Sequence, residues 1–274
     1  MADYAEFINS FNHNCRCRAK IMLHLFSFFH LNLAFSSIEE ELRPEVVQRC
    51  YWPLLHLVHD LELPIGIEAS GYTLEEIHRI APDWMSYLRD LCQKGMVEFI
   101  GSGYAQLIGP LVPSEVNRAN QRIGLKVYRD ILGFEPRLVL VSEQAYSSGL
   151  IPIYREAGYR AMIMEWDNAS SAHTNGDPDW RYLPQNAVGA DGSMLPIIWN
   201  KSIPFQKFQR YAHSEIELPE YLNFLSSHIG SKERTFSLYG NDAEIFDFRP
   251  GRFTTEATLG GESEWQRISL LYQT

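Results

Sequence analysis

The side chains in this chain with the most chemical capacity stand where aliphatic runs end. "LVLVSEQAYSSGL", residues 138–150, carries an aliphatic segment into a single carboxylate, Glu143, and then turns polar and small. Such a segment reads as a central parallel strand covered on both faces. The carboxyl ends of strands of this kind are where α/β sheets hold their ligands. Glu143 is therefore a catalytic or binding carboxylate, or else a helix-start residue placed near an N-terminal dipole. The arrangement recurs along the chain. His30 closes the first run, Glu68 the second, and Tyr104 and Gln106 follow the third. Glu165, Trp166 and Asp167 follow the fifth run, and Asn241, Asp242 and Glu244 the seventh. Caps alone would scatter such residues between both faces of a sheet. Their gathering at strand ends moves Glu143 toward a functional role, and carboxylates so gathered can act as nucleophile, general acid or general base.

The elements that must position these residues alternate. Apolar runs are expected as strands at 21–29, 64–69, 97–100, 137–141, 160–164, 194–199 and 235–239. Between most of them lie helical patterns, at 37–61, 81–95, 113–133, 148–158 and 214–230. Ser114 is expected as an N-cap, and Gly133 as the stop of its helix. Alternation of this kind gives a parallel β/α architecture, either a closed barrel or an open doubly wound sheet. "GSGYAQLIGP" lacks the phosphate fingerprint and the acidic ribose contact of a dinucleotide site, which disfavours the open sheet. The expected fold is a closed or nearly closed barrel, with residues 170–192 as a long loop over its active face.

The chain has 274 residues, 45% of them hydrophobic, long enough for one large core. A net charge of −10 argues against nucleic acid as a partner, since phosphate binding needs a basic face. Cys15, Cys17, Cys50 and Cys92 have no framework or zinc spacing and read as reduced cytoplasmic thiols. Residues 16–37 have the basic lead and apolar stretch of an export signal, but His24, Ser27, His30 and Asn32 interrupt it. A tail, 1–20, followed by a first strand accounts for the stretch better, and it is too short in apolar residues to span a membrane. A cytoplasmic protein with one barrel domain, 21–274, is expected, needing neither metal nor other cofactor. Its oligomeric state is not legible.

Three segments resemble glycoside hydrolase family 57. "VEFIGSGYAQLIGPLVP" is similar to the family's third-strand segment, and "GFEPRLVLVSEQAYSSGLIPIYREAGYRAMIMEWDN" to its nucleophile region. "LYGNDAEIFDFRPGRF" looks like the acid/base region, whose spacing Asp242, Glu244 and Phe246 keep. The resemblance covers about Ile21 to Phe253 and implies an α/β fold, an incomplete (β/α)7 barrel of parallel strands. It implies activity on α-glucan oligo- or polysaccharides, by hydrolysis or glucanotransfer, with Glu143 as nucleophile and Asp242 as general acid/base. Departures are visible too. Phe28 stands at the first of two motif histidines, Asn32 where proline is usual, and Asp247 where glycine closes the acid/base motif. The chain also ends soon after the last barrel strand, without the helical C-terminal region of many members.

Retaining glycoside chemistry fits these residues on its own terms. One carboxylate attacks the anomeric carbon while the other protonates the leaving oxygen. Glu244 and Asp247 are expected to raise the pKa of Asp242. His30, Glu68, Gln106, Asp167 and Glu244 are candidate sugar contacts, with Tyr104 and Trp166 as stacking surfaces. Two rivals remain. A non-catalytic carbohydrate-binding relative is suggested by the lost histidine and early C-terminus. A metal-dependent polysaccharide deacetylase would need converging His and Asp ligands, and His30 is the only histidine at an expected strand end.

Overall fold

The computed structural model describes residues 22–172, 176–248 and 263–274. The expected tail, with Cys15 and Cys17, lies outside the described residues. Eight strands form one sheet: β1 (Leu23–Leu31), β2 (Ile65–Ala69), β3 (Val97–Gly101), β4 (Leu138–Leu140), β5 (Ala161–Glu165), β6 (Gln185–Val188), β7 (Met194–Asn200) and β8 (Arg234–Asp242). Their order is β6-β7-β5-β4-β3-β2-β1-β8. All neighbouring pairs are parallel except β6 with β7. Seven parallel strands therefore curl into an incomplete β/α barrel, open between β7 and β8. The antiparallel β6 sits inside the expected loop 170–192. It forms a hairpin with β7 through the turn at Asp191-Gly192, where Gly192 has φ +80°, a conformation that favours glycine.

Among the described residues ten α-helices accompany the sheet: α1 (Arg43–Val46), α2 (Trp52–Leu61), α3 (Gly71–Ile80), α4 (Pro82–Gln93), α5 (Ser114–Leu132), α6 (Leu150–Glu156), α7 (Trp166–Ala172), α8 (Ser202–Ala212), α9 (Leu218–Ser226) and α10 (Glu264–Gln273). A π-turn, Val47–Tyr51, joins α1 to α2. Ser114 is the first helical residue of α5 rather than its cap, which is Pro113. Gly133 ends that helix in the left-handed region, as expected.

Side chains alternate between two cores, as a two-residue strand period requires. Outward residues such as Phe29, Ile67, Phe99, Val139 and Met162 join the helices in one large apolar layer. Inward residues form a small cluster of Phe28, Ile100, Leu138, Leu140, Ala161 and Ile163 inside the barrel. The helix α10 closes the outer layer beside β1. Its Trp265 packs 5.8 Å from Phe29, and its Tyr272 hydroxyl donates to Ser27 Oγ at 2.6 Å.

The open seam is tied by one buried side chain. Asn200, at the end of β7, donates from Nδ2 to the Gly240 carbonyl on β8 at 2.8 Å. Its Oδ1 accepts from Ser237 Oγ at 3.0 Å. This pairing satisfies polar groups that would otherwise be stranded where the ladder stops.

Candidate active site

Register sets the site. On β1, Phe28 is level with Gly66 of β2 and with Gly240 of β8. Two residues further on, His30 is level with Glu68 and with Asp242. The two-residue period sends both sets into the barrel, one layer above the other. The lower layer is filled by the Phe28 ring, for which the two glycines make room. A Cβ added at Gly66 would lie 2.6 Å from Phe28 Cβ, and one at Gly240 would lie 2.5 Å from Phe28 Cε1. Phe28 thus floors the upper, polar layer.

Above that floor lies a cavity of about 300 Å³, and His30, Glu68, Gln106, Glu143 and Asp242 line it together. Five strand-end residues from distant parts of the sequence converge there. Phe28, Asn32 and Asn241 line it as well, whereas Tyr104, Trp166, Asp167 and Glu244 do not. The Tyr104 hydroxyl donates to Glu75 at 3.1 Å outside the cavity. Asp167 is exposed on α7 beside Glu165, and Trp166 packs edge-on against Trp199 at 5.1 Å. Glu244 is buried and not part of the cavity wall; it accepts the Asn32 backbone N–H at 2.7 Å and the Tyr51 hydroxyl. The chain turns there into a short 3₁₀ segment, Ala243–Ile245, which rotates Glu244 away from the lumen. Asp247 turns outward as well, accepting the Glu264 N–H at 2.7 Å at the start of α10.

The charges form a coupled group. Glu68 is fully buried and hydrogen-bonds His30 Nδ1, while His30 Nε2 lies 3.9 Å from Asp242 Oδ1. Burial alone would depress the His30 pKa. The charge and hydrogen bond of Glu68, with help from Asp242 and Glu244, outweigh it and raise His30 to about 10. The neighbouring carboxylates thus favour the protonated imidazole. Gln106 contacts its Nε2 at 2.8 Å and reaches Asn32 Oδ1 at 3.2 Å. Among the described residues Glu68 Oε1 has no hydrogen-bond partner, and it belongs to a residue of the cavity wall.

The Asp242 pKa is raised, chiefly by burial, and further by Glu68 and Glu143, with His30 opposing. The direction agrees with the sequence expectation but the cause differs. Glu244 is itself raised to about 7 by burial and by Asp242.

Glu143 sits at an unusual turn. It has φ 53° and ψ 18°, and Gln144 follows with φ 53°. Two consecutive non-glycine residues in the left-handed region cost about 1–2 kcal/mol each. Gln144 Oε1 accepts the Glu165 backbone N–H from the end of β5 at 2.8 Å, and Asn168 Nδ2 donates to the Gln144 carbonyl at 3.3 Å. Sequence reasoning passed over Gln144; its adjacency to Glu143 was the only signal. Glu165 itself accepts from Ser202 N and Oγ at 2.8 and 2.9 Å, capping α8 rather than entering the cavity.

Gln144 also borders a second cavity, of about 960 Å³, with Tyr146, Trp166, Trp180 and Trp199 in its wall. Among the described residues no three His, Cys, Asp or Glu side chains converge as a metal site, and no helix is long and apolar enough to cross a membrane.

The fold defines the class: an incomplete parallel β/α barrel with acidic side chains gathered at the carboxyl ends of its strands. The profile of glycosyl hydrolase family 57 matches residues 15–257. The chain belongs to that family. It is 23% identical over 211 residues to an α-amylase of Pyrococcus furiosus, covering 76% of this chain and 31% of the relative. It is 26% identical over 213 residues to a 4-α-glucanotransferase of Thermococcus litoralis, covering 76% and 30%. The chain therefore spans about a third of the length of these curated relatives. Among solved structures, the Thermococcus litoralis 4-α-glucanotransferase superposes with a TM-score of 0.71 at 17% identity, over 92% of this chain and 37% of that one. A putative polysaccharide deacetylase of Mycobacterium smegmatis superposes with a TM-score of 0.62 at 13% identity, over 92% and 82%. These likenesses establish the barrel.

Proposed function

We propose that this barrel cleaves or transfers α-glucan chains by double displacement, with Glu143 as nucleophile and Asp242 as general acid/base. The observation that carries the reading is the convergence of these two carboxyl groups on one cavity from opposite parts of the sheet. The environment of Asp242 suits the acid's role: desolvation, with Glu68 and Glu143 nearby, pushes its pKa up although 42% of its side chain is solvent-accessible. An acid must hold its proton and a nucleophile must lack one.

The remaining groups suit a sugar. A polar wall above an apolar floor matches a pyranose ring, which has hydroxyl edges and C–H faces. The imidazolium of His30 donates to a ring hydroxyl, and the unpartnered Glu68 Oε1 accepts from one. The adjoining aromatic cavity has room for further sugar units, which supports an oligosaccharide over a simple glycoside. The names of the relatives favour α-glucans. A polysaccharide deacetylase shares the barrel, but that chemistry wants converging metal ligands, and the acid pair described here fits glycoside cleavage better.

Incubation with maltooligosaccharides tests the reading directly. A ladder of shorter and longer products, released as the α-anomer, is the expected result. Release of the β-anomer would exclude double displacement, and no turnover of any α-glucan would leave a binding module as the better description.

A further inference from the structure

The turn that presents Glu143 is not explained by its own sequence. Two local backbone bonds shape it, Gln144 N to Val141 O at 3.0 Å and Ala145 N to Ser142 O at 3.2 Å. The second closes a turn whose two central residues, Glu143 and Gln144, both have positive φ, yet neither is the glycine or asparagine that such a turn prefers, so it needs support beyond its own residues. The restraint comes from the neighbouring strand. Gln144 Oε1 accepts the Glu165 N–H at the end of β5, and Asn168 on α7 grips the Gln144 carbonyl. The Glu165 carboxylate is in turn fixed by the first N–H and hydroxyl of α8.

We propose that Gln144 is a positioning residue: its amide oxygen, anchored on β5, holds the strained 143–144 turn that aims the Glu143 carboxylate into the cavity. The inference rests on Glu143 being the nucleophile. Attack on an anomeric carbon needs the carboxylate in near-attack geometry, and a displacement of about 1 Å costs on the order of a hundredfold in rate. Without the anchor, residues 143 and 144 relax toward ordinary backbone angles, and the carboxylate swings out of line.

Two variants separate positioning from mere support. Gln144→Met keeps the length of the side chain and loses the acceptor. Its kcat should fall at least about tenfold while KM stays within about twofold, with an unchanged melting temperature. Gln144→Glu keeps an acceptor for the Glu165 N–H and should recover most of the rate. It also places a second carboxylate beside Glu143, which already faces Asp242, His30 and Glu68 across the cavity and has Glu165 behind its turn. The acidic limb of its pH–rate profile should therefore move to higher pH. A kcat near that of the unaltered protein in Gln144→Met overturns the proposal. So does a joint fall of kcat and melting temperature in both variants with the acidic limb unmoved. A crystal structure of Gln144→Met supplies a readout independent of turnover. The Glu143 carboxylate should be displaced, and an undisplaced carboxylate at positive φ overturns the inference. If the carboxylate moves but the unaltered protein cleaves no glucan, the assignment of function fails and the structural role of Gln144 stands.

Discussion

At the scale of single residues, the roles proposed for Glu143 and Asp242 can each be tested by one substitution. Glu143→Gln removes the charge that would bond to the anomeric carbon, and an amide cannot take its place. Turnover of maltooligosaccharides should fall by several orders of magnitude with folding and sugar binding intact. Near-normal kcat in that variant would remove Glu143 from the mechanism. As the proposed acid, Asp242 would act only while protonated, so the rate should decline as pH rises through its pKa. Because burial lifts that pKa, the alkaline limb lies nearer neutrality than a solvated aspartate would place it. Asp242→Asn should abolish this limb. It should also spare activated aryl glycosides more than maltooligosaccharides, since a good leaving group needs no proton. Equal losses on both substrates would point to another acid.

At the scale of elements, the site is a product of strand register. His30, Glu68 and Asp242 share a level because β1 is flanked by β2 and β8 in the pairing that also aligns Phe28 with Gly66 and Gly240. A slip of one residue would turn all three outward. On the β8 side that register is reinforced across the gap by Asn200, which bonds Gly240 two residues before Asp242. Asn200→Leu leaves the Gly240 carbonyl and the Ser237 hydroxyl buried without their partner. The expected loss of stability is about 2–6 kcal/mol, counting roughly 1–3 for each of the two stranded groups. Activity should fall beyond what unfolding explains, because β8 carries Asp242. Denaturant titration alongside kinetics at a temperature where the variant is folded would check both, and full activity with reduced stability would confine Asn200 to a structural role.

At the scale of the whole molecule, two buried cationic groups shape stability in opposite senses. His30 is raised to about 10 from an ordinary 6.5, so its contribution is present below about pH 6.5 and is lost as pH rises through about 10. Lys201 is lowered to about 7, first by burial and then by Arg181 and Arg234. Its Nζ lies 3.9 Å over the Tyr182 ring and, among the described residues, has no hydrogen-bond partner. The unfolded chain therefore takes up a proton between about pH 10.5 and 7 that the folded chain resists, which erodes stability as pH falls through that window. Lys201→Met should raise the melting temperature at pH 7, by roughly 2–4 °C for each kcal/mol recovered, and by less at pH 10. An equal change at both pH values would show that the lysine is not neutralised by its surroundings.

How far the sequence alone reached follows from which forces are local. Seven strand-length apolar runs at a regular spacing were enough for a parallel β/α barrel, because burial on both faces leaves an aliphatic signature in the chain itself. Carboxylates and a histidine at the ends of those runs were enough to nominate His30, Glu68, Gln106, Glu143 and Asp242, since strand ends face one side of such a barrel. The hairpin strand β6 escaped, since its four residues carry two polar side chains and bury only Ala187, although the Asp191-Gly192 turn marks it. Other features had no local trace. That Glu244 is buried away from the cavity wall, that Tyr104 and Asp167 stay outside it, and that Asn200 ties the seam depend on neighbours far away in sequence. The pKa of Asp242 was set by burial rather than by the acidic residues beside it in the chain. Periodicity tells which face of a strand is covered; only the packed barrel decides which covered groups meet.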